Sequence, residues 1–361
     1  MDYPHRAHEA LLRIESLIST KNQDHVLDLI SEFIFYEKKS DSRKYGNTHK
    51  NQQTCGLSLI QEFQLVVVLC EFYERPGQEM IRNAVFLSLF ERSNAYRLKV
   101  LSKLIGTAIA SSVAPILMAA GTWIQQVGPT NTSCLELTQK LIEDFIVFSN
   151  KGPEQLKNLP AISPRFSINF LVCCTDLYLN DTKSHQLMPP PPPALLEIFT
   201  NWMLDYPTLC TDAQPQLALP QGAISMPIVS PLPGLIRWCV LAPISNASTD
   251  GSAYSKLHLA ILKSLMQESK SVNDLPPASA INSVALGVVI FALKFRATEI
   301  GKTGDIDTDE KMQLSLERLA QCIQIALQSR SLTGNVSQMI SKLKTLPQNN
   351  LLNIVIKSQG L

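Results

Sequence analysis

The sequence runs to 361 residues, with 32 basic and 31 acidic side chains. That balance excludes a protein that holds nucleic acid by bulk charge, which needs a basic excess or stripe. Hydrophobic residues make up 45% and charged residues only 17%, so core material is ample and part of the surface is expected to be covered by partners.

Helical period dominates from the start. Leu11, Leu12, Ile14, Leu17 and Ile18 suit a first helix, and Val26, Leu27, Ile30, Phe33 and Ile34 a second. The polar stretch 38–56 predicts a loop. It holds the longest basic cluster, Lys38, Lys39, Arg43 and Lys44, which reads as a solvated segment or a weak nuclear-import signal. Helices are expected near 57–75, 77–91, 95–110, 114–126 and 133–149, punctuated by Pro76, Pro115 and Pro129. Five consecutive apolar residues, Leu65 to Leu69, demand a helix covered on two sides.

A helix over Phe166 to Leu179 closes an expected N-terminal array, 1–180. Residues 181–233 read as a proline-rich linker with one short helix, Leu195 to Leu204. Pro189 to Pro193 favour polyproline geometry, and Pro207, Pro215, Pro220, Pro227, Pro231 and Pro233 interrupt the rest. A C-terminal array, 234–361, resumes with helices near 234–241, 253–268, 279–299, 308–329, 335–344 and 349–357. Asp307 and Glu310 suggest a capping box ahead of the stripe Met312, Leu316, Leu319, Ile323 and Leu327. No strand-period run competes. The fold class is therefore all-α: a HEAT- or armadillo-like helical-repeat array of stacked antiparallel helix pairs, inferred from segment length and two-faced helices, since no exact repeat occurs.

The patterns that carry chemistry are weak. Eight cysteines lie mostly in apolar runs with no Cys-x-x-Cys pair, which favours buried reduced thiols over disulfides or zinc. His5 and His8 have no second ligand pair. Gly301-Lys302-Thr303 ends like a phosphate loop, but Arg296 stands where its first glycine belongs. Met1 to Ala10 is polar and sets no expectation of a signal peptide. The charge-poor stretches Leu104 to Ile124 and Leu275 to Leu293 contain interior breaks or openings at Pro115, Pro276 and Pro277, so buried helices explain them better than membrane spans. No catalytic residue, metal ligand or cofactor is assigned.

Five segments in order carry a resemblance. They are Ser163-Pro164-Arg165-Phe166; Gly234-Leu235-Ile236-Arg237-Trp238-Cys239-Val240 with Ala242-Pro243; Tyr254-Ser255-Lys256-Leu257-His258-Leu259; Leu314-Ser315-Leu316-Glu317-Arg318-Leu319-Ala320-Gln321; and Leu346-Pro347 with Asn349-Asn350-Leu351-Leu352. In this order and spacing the chain resembles the Integrator complex subunit 15 family. The resemblance implies a HEAT-like helical fold, no catalytic activity, residence in the nucleus, and partners in the module of Integrator subunits 10, 13 and 14. It further implies a role linking that module to a complex that cleaves nascent transcripts, including small nuclear RNAs, with another subunit. Longer members carry a proline- and histidine-rich tail. This sequence ends at Leu361 and has its own insert, 181–193, so functions of such a tail are not expected of it.

Arg165, Arg237, Trp238, Tyr254, Lys256 and His258 are the partner-binding candidates. Each also has an internal reading. Trp238 packs on the next helix, and Arg237 caps a neighbour's last carbonyls. Arg165 opposes a helix dipole and calls for an acidic partner. Tyr254, Lys256 and His258 form an inter-helix polar network, and Asn349 and Asn350 cap the last helix. Near-neutral charge gives no reason to expect direct RNA contact and does not forbid it. A helical adaptor of another nuclear or cytosolic assembly, and an enzyme whose site assembles only in space, stay open as alternatives.

Overall fold

The computed structural model describes residues 2–20, 25–37, 56–91, 94–180, 188–212, 230–245, 251–268, 281–303 and 306–359. The predicted loop 38–56 lies outside these except for Gly56, as do 181–187 and 213–229 of the proline-rich stretch. The described residues are all-α apart from one parallel bridge, Ile281–Asn282 (β1) to Leu332–Thr333 (β2). They fall into two compact units, Met1–Gln126 and Val127–Pro215 with Pro227–Leu361.

The first unit contains α1 (Tyr3–Ser19), α2 (Val26–Leu29) running into a π-turn (Ile30–Ile34), α3 (Leu59–Glu74), α4 (Glu79–Phe90), α5 (Ala95–Ser111) and α6 (Ala114–Val127). Its core is the packing of α1 on α3 and α4, and of α3 on α5. Ala7, Ala10, Leu11, Ile14 and Ile18 form the buried stripe of α1, at the spacing that aligns side chains along one face. Local chemistry sets the helix starts. Ser58 and Gln61 form a reciprocal capping box at α3, and Asn94 Oδ1 accepts the Arg97 amide at 2.7 Å to open α5. Ser112, in the left-handed region at φ 57°, ends α5, and Pro115 lies in the first turn of α6, where a missing amide costs nothing.

Several buried polar groups in this unit are paired. Arg97, 1% exposed, donates to Glu37 at 2.8 and 2.6 Å and to the Leu89 carbonyl at 2.8 Å, with its guanidinium 4.7 Å from the Phe35 ring centre. The Arg97 hydrogen bonds hold the Glu37 carboxyl below the usual carboxylate range, against the opposing effect of burial. The Tyr3 hydroxyl donates to the Ile34 carbonyl at 2.7 Å, and Trp123 Nε1 to the Phe90 carbonyl at 3.2 Å.

The second unit contains α7 (Thr132–Ile142) with a π-turn (Glu143–Val147), α8 (Gly152–Lys157), α9 (Leu159–Ile162), α10 (Pro164–Leu177), α11 (Pro193–Asp205), α12 (Leu209–Asp212), α13 (Leu232–Leu241) with a 3-10 turn (Ala242–Ile244), α14 (Gly251–Glu268), α15 (Ser283–Thr303), α16 (Ile306–Gln328), α17 (Val336–Leu343) and α18 (Asn350–Ser358). Helix α10 packs on α7 and α13, α11 on α14, and α13 on α14 and α16. Every residue from Phe166 to Thr175 is buried, so α10 is enclosed on all sides, the fate expected of a helix apolar around its circumference. Two asparagines serve as N-caps here: Asn131 Oδ1 accepts the Ser133 amide at 2.9 Å and Asn335 Oδ1 the Gln338 amide at 2.8 Å.

Two expectations change. Asp307 lies inside α16, which begins at Ile306, so it does not occupy the cap position. The periodicity of the stripe is kept, with Met312, Leu316, Leu319 and Ile323 buried. The compact units also divide differently from the expected arrays 1–180 and 234–361. Helices α7 to α10 belong with the C-terminal helices, because α10 is the surface on which α13 lies.

Candidate partner-binding site

The motif segments lie on α10, α13, α14, α16 and the start of α18. Helix α13 starts at a close approach. A Cβ on Gly234 would stand 2.2 Å from Thr175 Oγ1, so glycine is what lets α13 reach α10. One turn on, Arg237 donates to the Thr175 carbonyl and reaches Asp176 Oδ1 at 3.4 Å. It thus caps the C-terminal end of α10, where unpaired carbonyls attract cations. Trp238 is 0% exposed. Its Nε1 donates to the Tyr178 carbonyl at 2.9 Å, and its ring lies 6.1 Å from that of Phe199, stacked. Both residues therefore bond within the chain, and the Trp238 side chain is enclosed.

Tyr254 and His258, four residues apart on α14, face α13 and α16. His258 Nε2 pairs with Gln321 Oε1 at 2.7 Å, and its Nδ1 lies 3.8 Å from Cys322 Sγ. Arg318, 5% exposed, donates to the Cys239 carbonyl at 2.8 Å and Ser255 Oγ at 2.9 Å. Burial pushes the Cys239 thiol up to about 12 and lowers the His258 imidazole from its ordinary 6.5. A thiol held protonated and enclosed is a poor nucleophile, so this cluster works as a polar lock between helices. The Tyr254 hydroxyl is buried and has no hydrogen-bond partner among the described residues.

Lys256 is exposed. It borders a groove of ≈ 400 Å³ between α11 and α14, lined among others by Leu196, Glu197, Thr200, Asn201 and Tyr254. Arg165 is half-buried in the first turn of α10, about 15 Å along the helix from the Thr175 end. The six candidates thus do not form one site. Asn349 Oδ1 accepts the Leu352 amide at 3.0 Å and caps α18, while Asn350 is the first helical residue.

Other chemistry does not assemble among the described residues. Gly301-Lys302-Thr303 closes α15, whereas a phosphate loop must open a helix to present its amides. No three His, Cys, Asp or Glu side chains there are placed to hold a metal, and no helix is long and apolar enough to cross a membrane. Of the seven cysteines among the described residues, six are buried.

One surface escaped the sequence reading. On α3, Leu59, Ile60, Phe63 and Val67 are 63%, 71%, 61% and 55% exposed. The signal was the all-round apolar character of α3, which reads as full enclosure; the structure covers only the face bearing Leu65, Val66, Val68, Leu69 and Phe72.

Comparison with known proteins agrees with these segments. The Integrator complex subunit 15 family model matches residues 1–348. A Drosophila melanogaster protein named Integrator complex subunit 15 is 44% identical over 99% of this chain and 94% of its own length. Proteins of the same name from Mus musculus and Homo sapiens are each 29% identical over 91% of this chain and 77% of theirs. With the match running through the packed segments around Arg165, Trp238, His258 and Arg318, the chain belongs to the Integrator complex subunit 15 family.

Proposed function

We propose that this chain is a non-catalytic scaffold subunit of the Integrator complex. It acts in the nucleus, joining the module of subunits 10, 13 and 14 to the rest of the complex in small nuclear RNA processing and transcription regulation. The observation that carries the reading is the 44% identity to the Drosophila protein over 99% of the chain. The polar residues shared among the motif segments support it. Arg237, Trp238, His258 and Arg318 spend their bonds on neighbouring helices, as befits a rigid support rather than a reaction centre. Affinity purification of the tagged full chain from nuclei, with partners identified by mass spectrometry, tests it. Integrator subunits including 10, 13 and 14 are expected to be retained. Their absence under conditions that keep other Integrator subunits together refutes the reading.

A further inference from the structure

We propose that the face of the second unit formed by α15 and α17 docks an acidic amphipathic helix of a partner protein. This goes beyond the scaffold reading, since it names a contact surface and its chemistry and holds whichever assembly the partner belongs to.

Val284, Val288 and Phe291 on α15 are 72%, 47% and 56% exposed. On a helix of 3.6 residues per turn they fall within an arc of about 60°. The spacing of four, three and seven residues is that of a helix-in-groove contact. Helix α17 packs on α15 and lays a cation along the stripe. A Cβ on Gly287 would stand 3.3 Å from Lys342 Nζ, so the bare backbone of Gly287, which borders Phe291 on the helix surface, is where the Lys342 side chain crosses α15. Lys294 lies on the same flank two turns on.

Charge selects the occupant. No Asp or Glu occurs from 275 to 298 or from 318 to 361. Lys294 and Lys342 are exposed and form no ion pair among the described residues. The Arg296 guanidinium adds a third cation, 5.8 Å from the Phe295 ring centre. Glu299, one turn past Phe295, is the carboxylate of α15; set against Arg296, it leaves the net charge positive. The exposed acids of α16 stay clear of the stripe. Pairing of β1 with β2 puts the start of α15 beside the end of α16, and Glu317 lies about 16 Å before that end. The open charge on this face is therefore basic and runs along one flank of an apolar stripe. A partner helix with carboxylates about 10 Å apart on one side of its own stripe meets both. An RNA strand stacks its bases on aromatic platforms, and Val284 and Val288 offer none. Anionic bilayers are held by clusters of about four or more cations, and two are free here. A second copy docking this same face by two-fold symmetry would set Lys294 and Lys342 against themselves.

The test uses the tagged full chain in nuclei. Val284→p-benzoylphenylalanine places a photo-crosslinker in the stripe. The expected product joins it to a segment of a partner protein with apolar residues three and four apart and Asp or Glu on their flank. Val284→Ser/Val288→Ser and Lys294→Glu/Lys342→Glu should each lower retention of that protein by about tenfold, while melting with the wild-type chain because every altered side chain faces solvent. Changing the partner's flanking carboxylates to Lys should restore its retention by the Lys294→Glu/Lys342→Glu chain, which a folding defect cannot do. Wild-type retention by either double variant, or failure of that restoration, overturns the inference. So does a cross-link to a basic segment, to a second copy, to this chain itself, to nucleic acid or to lipid, or no cross-link at all. An acidic partner that passes these tests and is not an Integrator subunit leaves this inference standing and removes the scaffold reading. Integrator subunits retained equally by every variant do the reverse.

Discussion

Arg97 shows how one cation organises a core. It bonds both Glu37 oxygens and a main-chain carbonyl while lying against Phe35, so its removal strands a carboxylate and an acceptor together. Arg97→Ala should cost about 3 kcal/mol, the loss typical of breaking a buried pair by deleting one partner, read from the denaturant midpoint of the first unit. Trp238→Phe tests the internal role of the indole. It deletes the bond to the Tyr178 carbonyl and should cost about 1 kcal/mol, with partner retention unchanged in the folded protein. His258 supplies a pH signature. Its folded pKa lies below 6.5 because burial disfavours the charged ring. As pH falls below 6.5 the unfolded chain takes up a proton that the folded chain refuses, so this stability contribution is complete above 6.5 and declines below it. His258→Gln should flatten the dependence of the melting temperature on pH below about 6.5. The sequence offered internal roles for Trp238 and His258 without their partners, and gave no sign that Arg97 is enclosed. A lone Arg in a sequence reads as surface, and only the packing of distant helices reveals which cations are enclosed.

Elements were far more legible. The helices at 59–74, 79–90, 95–111 and 114–127 follow the apolar period and proline punctuation almost residue by residue, because helix boundaries here are set by nearby caps and breakers. The short helices α8, α9 and α12 were missed. Four to six residues carry no resolvable period, and Pro153 and Pro160 sit in the first turns of α8 and α9. The cap assigned to Asp307 failed for a similar reason, since α16 begins before it. The α3 face was misjudged because an apolar run says how much surface wants cover and not whether this chain provides it. The α13–α10 contact offers an element-scale test. Gly234→Ala places a methyl 2.2 Å from Thr175 Oγ1 and 2.4 Å from its Cβ, a clash that moving the hydroxyl alone does not relieve. It should destabilise the second unit by about 1–3 kcal/mol, measured by thermal or denaturant unfolding, by pushing α13 off the end of α10.

At the scale of the whole molecule, the proline-rich stretch looked like a boundary, yet the compact units part near Gln126 and Val127. Composition marks where the chain is irregular; contacts mark where it is divided. The consequence for dissecting this protein is direct. A fragment 234–361 keeps α13 to α18 but loses α10 and α11, and with them Thr175, Asp176, Tyr178 and Phe199. Trp238 and Arg237 then lose the groups that receive them, and α14 loses α11, against which it packs. A fragment 127–361 keeps all of these. We expect the longer fragment to unfold in one cooperative transition and the shorter to show a broad, non-cooperative one with exposed apolar surface, since a core cut through its middle cannot offset the entropy of ordering. Circular dichroism melts and dye binding distinguish the two. A sharp transition in 234–361 at the temperature of the longer fragment would show that α10 and α11 add no stability to the C-terminal helices. Wild-type partner retention by 127–361 alone would further place the essential contacts in the second unit.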